Sequence, residues 1–89
     1  MVIDGIEVNV TAADLDDFEV LECLAVMMDE ETADRDRMVT IPKLFRLVFR
    51  EDWPRVKREL REQHDGRLTS EMVMAFFTSL TNALNAKNS

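Results

Sequence analysis

The sequence predicts a mainly α fold, a small bundle of about four helices with a short N-terminal β-hairpin, in a single domain over residues 1–89. Three observations predict it. Apolar residues recur at helical spacing in four separate stretches. An Asp-Gly pair stands between short β-branched runs near the start. The 89 residues are enough for one hydrophobic core and too few for two.

The opening segment is strand, turn, strand. Val2-Ile3 and Ile6-Glu7-Val8-Asn9-Val10 flank Asp4-Gly5, and apolar residues alternate with polar ones after the turn. A two-stranded ribbon is marginal in water, so this one must lie on the helices or pair with another chain. Residues 1–11 form the hairpin arm, 12–84 the bundle and 85–89 a tail expected to fray.

Thr11 followed by Asp14 suggests a capping box for a first helix over roughly Ala13 to Asp29. Asp14, Asp16, Asp17 and Glu19 occupy its first turns, where the helix dipole favours carboxylates. Leu15, Phe18, Leu21, Leu24, Ala25 and Met28 form the main apolar stripe, and Val20, Cys23, Val26 and Met27 widen it. A helix so apolar is central in the fold or shared with a partner. The expected neighbour is the last helix.

Residues 29–37 are polar and aperiodic, hence a connection. Thr40 is expected to cap a second helix, with Pro42 near its start and Ile41, Leu44, Phe45 and Val48 facing one way. Asp52 opens a third, in which Trp53, Val56 and Leu60 form a narrow apolar edge and Gly66 provides the stop. Thr69 or Ser70 opens the last helix. There Val73, Phe76, Phe77, Leu80 and Leu84 follow a strong amphipathic rhythm.

No apolar run approaches the roughly 18 residues that span a bilayer. The start lacks the pattern of a secretory signal, and Cys23 stands alone, so the expected address is the cytoplasm. The net charge of -7 is unevenly spread. Among residues 1–36 the only base is Arg35 against many acids, whereas residues 37–62 are predominantly basic. Such blocks pair within the fold or steer a charged partner.

No set of residues suggests catalysis. Gly66 fits no calcium loop, because the positions that should supply oxygen ligands hold Arg61, Gln63 and Met72. His64 and Cys23 are single and distant in sequence, too few for a metal site, and Cys23 has acids, not cations, around it. With only Gly5 and Gly66, no phosphate-cradling loop exists. No catalytic, cofactor-binding or metal-binding residue is assigned. Arg46, Arg50, Arg55, Lys57, Arg58 and Arg61 could contact phosphates, but Glu51, Asp52, Glu59 and Glu62 are interspersed among them, which disfavours nucleic acid. The expected partner is a protein. Val26, Met27 and Met28 (excess apolar surface), Met74 (off its helix's stripe) and Trp53 (a potential anchor) are the candidate contacts.

The order of three segments adds a resemblance. DDFEVLECLA at 16–25, LFRLVFREDWPRVKREL at 44–60 and HDGRLTSEMVMAFFTSL at 64–80 together resemble the small tail assembly chaperones of long-tailed bacteriophages and prophages. In that family an acidic helix of D-F-E-x-L-E character precedes an apolar helix, a short tryptophan helix and a C-terminal amphipathic helix. Asp17, Phe18 and Glu19 match the acidic helix, and Trp53, Val56 and Leu60 the tryptophan helix. The N-terminal hairpin is not part of the pattern. The resemblance implies a short-form chaperone that coats an apolar, helical tape measure protein before the tail tube forms, with tube subunits as further partners and homo-oligomers possible. Two other classes compete. One is a nucleic-acid-linked regulator using the Arg/Lys surface, and the other a structural subunit that only self-associates.

Overall fold

A computed structural model describes residues 1–88 of the chain, with side chains through Asn85. Its architecture is the small, mainly helical bundle with an N-terminal antiparallel hairpin that the sequence predicts. Strands β1 (Val2–Ile3) and β2 (Ile6–Glu7) pair with Ile3 opposite Ile6. Asp4 and Gly5 both take positive φ, 50° and 84°, which a tight primed turn requires. Glycine suits the φ of position 5, and a Cβ there would stand 3.2 Å from the Gln63 amide nitrogen, so that side chain would have to give slightly.

The expected first helix is two. A single turn, α1 (Ala12–Leu15), is opened by Asp14, whose carboxylate accepts from the Thr11 backbone N–H at 2.8 Å. The chain then restarts as α2 (Phe18–Met28), because the Asp17 side chain accepts from the backbone amides of Glu19 (2.9 Å) and Val20 (3.4 Å). An aspartate expected inside a first turn is therefore a cap. The packing differs too: α2 lies chiefly on the following helix, and α1 stands near the end of the last one, at Leu84.

The second long helix, α3 (Asp34–Phe49), starts six residues earlier than Thr40, and the connection shortens accordingly. Asp34 and Asp36 in its first turn suit the dipole, and the Thr40 hydroxyl donates to the Asp36 carbonyl at 2.7 Å. Pro42 thus sits inside the helix, where it offers no amide to the Met38 carbonyl. Arg50, at φ 53°, ends α3 and turns the chain through a short 3-10 segment (Arg50–Asp52) into α4 (Trp53–Gln63), with Pro54 in its first turn. Gly66, at φ 85°, closes α4 with its amide 2.7 Å from the Arg61 carbonyl. The last helix, α5, runs Ser70–Asn88. Ser89 and the side chains of 86–88 lie outside the described residues, and the fraying expected for the tail falls largely there.

The buried side chains form one continuous cluster from Ile3 to Leu84. Its centre is aromatic. Phe45 meets Trp53 at 4.9 Å between ring centroids and Phe77 edge-on at 5.7 Å, while Phe49 stacks on Trp53 at 5.9 Å and lies 6.0 Å from Phe76. The hairpin lies over α4 and α5 and contributes Ile3, Ile6, Val8 and Val10 to this core. Two side chains of α4 hold it down. Arg55 donates to the Glu7 carbonyl at 2.6 Å, and Gln63 donates to the Asp4 carbonyl at 2.8 Å.

Candidate functional site

Helix α2 is built from apolar residues on nearly all sides, so its packing must choose a face. Val20 and Cys23 are buried, with Leu24 and Met27 packed partly against the core beside them. These follow the i, i+3, i+4, i+7 pattern of one helix face. The small Val and Cys side chains let the α2 backbone lie close to α3. Of the main stripe expected for the core, Leu15 and Leu24 pack against it, and the rest is turned out. Phe18 is 74% exposed and Met28 80%, with Leu21 and Ala25 exposed between them. Spacings of 3, 4 and 3 residues place these four within roughly a quarter-turn of the cylinder.

This outward stripe has an acidic border. Asp17, Glu19 and Glu22 on α2, and Asp29, Glu30 and Glu31 after it, are all exposed, and no Lys or Arg occurs before Arg35. The C-terminal turn of α2 has no basic residue of its own. The Arg37 guanidinium, arriving from α3, donates to the Asp29 carbonyl there. Met38 and Val39, also exposed, lie near the start of α3 at the same end of the α2–α3 pair.

The residues singled out from sequence are scattered by the fold. Met28 stands on the outward stripe. Val26 is exposed on a separate face, about a third of a turn away from it, and Met27 packs partly inward. Met74 packs half-buried against the core from α5. Trp53 is stacked in the aromatic centre, with one edge on an open groove of about 500 Å³ between α3, α4 and the start of α5. No two of these five share a surface, since Val26 and Met28, two residues apart, stand on nearly opposite sides of α2. Phe18 and Leu21 are the site residues that sequence reasoning placed in the core. Their signal was present in the surplus of apolar residues around α2, but not in which half would face out.

The basic block is partly committed. The Arg55 guanidinium bonds Asp52 at 2.6 Å, Glu59 and the Glu7 carbonyl. The Arg55 hydrogen bond holds the Asp52 carboxyl below its ordinary value, and the same bond raises the guanidinium further. Arg61 donates to the Gly66 carbonyl at 3.2 Å, and Arg37 pairs with Asp34 at 3.8 Å. These contacts take cations away from a phosphate-binding stripe. Among the described residues no three His, Cys, Asp or Glu side chains converge as a metal site, and no helix is long and apolar enough to cross a membrane.

No protein-family model, curated protein or solved structure matches the chain.

Proposed function

We propose that this protein acts by binding and not by catalysis, as a phage or prophage tail assembly chaperone that holds an apolar, helical tape measure protein soluble in the bacterial cytoplasm. The observation that carries the reading is the outward stripe of α2. A chain this small buries only about two-thirds of its available surface, so leaving a Phe, a Leu and a Met together in water is a sizeable sacrifice of core area. Helical clients dock through such anchors at i, i+3 and i+7 spacing, and an exposed thioether adapts to varied partners. The order of segments over residues 14 to 84 supplies the choice of client, and tail tube subunits are its proposed successors on the client.

The test is co-expression with fragments of a tape measure protein, scored by solubility and pull-down. Rescue of client solubility is expected, with Phe18→Asp and Met28→Asp weakening it more than Arg58→Ala does. Client rescue absent altogether, beside a salt-sensitive shift of random duplex DNA abolished at Arg58, would replace this reading with the nucleic-acid one.

A further inference from the structure

Building on the binding role proposed above, we infer that the partner of the α2 stripe is a cationic amphipathic helix, with Lys or Arg bordering its apolar face, and not a second copy of this chain. The charge around the stripe decides between them. Asp17, which caps α2, and Glu19 share a cleft with Arg46 and Arg50 of α3, whereas Glu22 on α2 and Glu30 and Glu31 past its C-terminal end make no ion pair among the described residues. That end already carries the negative pole of the helix dipole, and α2 places no basic residue in its last turn. Three carboxylates beside it are a local electrostatic conflict, eased by the Arg37 guanidinium at the Asp29 carbonyl and by the Glu31 backbone amide, which donates to the Asp29 carboxylate at 2.9 Å. Cations brought by a partner would relieve the remainder.

A second copy cannot do so through the same face. A two-fold contact that lays two α2 helices antiparallel sets the same flank of each side by side, so the acidic flank around Glu22 would meet the acidic flank of the other copy, with no Lys or Arg on either helix between them. Like charges placed together at an interface oppose association and exclude wrong partners. A helix with basic borders meets the opposite situation. Its apolar residues cover Phe18, Leu21 and Met28 along the roughly 16 Å of α2, and its cations fall on the acidic rim. The acid-rich N-terminal half would also steer it during encounter.

The test uses the full chain and two labelled peptides with one shared apolar helical face, one bordered by Lys and the other by Glu. At low salt the Lys peptide should bind at least about tenfold more tightly, the sum expected from a few exposed ion pairs. Its advantage should shrink toward unity as salt rises and in the Glu19→Gln, Glu22→Gln double variant. Phe18→Ser, checked for an unchanged thermal melt, should abolish binding of both peptides. Equal affinity for the two peptides at low salt overturns the charge inference while leaving the binding role standing. Binding of neither, together with failed client rescue, removes the binding role as well. A dimer in sedimentation that Phe18→Ser dissolves would place a second copy on the stripe and overturn the inference directly.

Discussion

The N-terminal hairpin and α2 are both rich in apolar residues, and they dispose of them in opposite ways. In the hairpin and the segment after it, Ile3, Ile6, Val8 and Val10 are all buried, and the residues between them are polar or exposed. In α2 Val20 and Cys23 go inward while Phe18, Leu21 and Met28, larger and more apolar, remain outside. The strand has only two faces, and Glu7 and Asn9 occupy one of them, so its phase is determined by chemistry alone. The helix has apolar residues on adjoining faces, so its phase is settled by how closely it can approach α3. The hairpin is thus part of the core, and α2 is half core and half surface.

The largest effect that could break this contrast is at the aromatic centre on which the hairpin side of the core rests. Phe45→Ala and Phe77→Ala should each destabilise by about 3–5 kcal/mol, since both rings are buried among other rings. Denaturant melts measure this directly, and an unchanged midpoint would remove that ring from the core. Next in size is the hairpin itself. Ile6→Ala should cost about 2–4 kcal/mol, because Ile6 is 1% exposed and faces the helices. A loss below about 0.5 kcal/mol would mean that the ribbon is an accessory arm and that the comparison fails on its first side.

The legibility of the sequence follows the same division. Asp4-Gly5, the alternation after it, Pro54, Gly66 and the rhythm from Val73 to Leu84 each have one physically sensible reading, and the structure adopts it. Asp17 had two. A carboxylate in a first turn and a carboxylate at an N-cap obey the same electrostatics, and only the chain's path separates α1 from α2. Pro42 also misled, because proline is favoured at a helix start, yet acids at Asp34 and Asp36 open α3 upstream of it. The candidate site suffered most. A search for apolar periodicity assigns Phe18, Leu21 and Met28 to the core, whereas α2 buries Val20 and Cys23, packs Leu24 and Met27 partly inward, and exposes those three.

A smaller effect sharpens the hairpin's side. Arg55, about a third exposed, links α4 to the hairpin through the Glu7 carbonyl while Asp52 and Glu59 hold its guanidinium in place. The Asp52 carboxyl lies below its ordinary value of 3.8, chiefly through its hydrogen bond with Arg55. A group depressed in the folded state contributes stability that is present above its unfolded value and lost as pH falls through the folded one. Acid should therefore loosen this clamp only below about pH 4, and hydrogen exchange of the hairpin amides should accelerate there. Arg55→Ala should produce the same acceleration at neutral pH and remove its acid dependence. Equal protection in both proteins at both pH values would show that burial of Ile6 and Val8 alone holds the hairpin.

The smallest expected change in stability lies on the other side of the comparison, and it bears most on function. Phe18 and Met28 are surrounded mainly by solvent, so truncating or charging them removes little packing. Phe18→Asp and Met28→Asp should shift the unfolding free energy by no more than about 0.5 kcal/mol, the range usual for surface positions. Phe18→Asp adds a carboxylate near the α2 N-terminus, which the dipole favours. Met28→Asp adds one at the C-terminus, which it opposes, so of the two Met28→Asp should be the less stable. Both should nevertheless lower client rescue sharply, whereas Cys23→Asp, buried against α3, should unfold the chain outright. Paired melts and rescue assays on these three variants separate the faces of α2. If Phe18→Asp were as destabilising as Cys23→Asp, the bulky stripe would be core after all, and the surface proposed for the client would not exist.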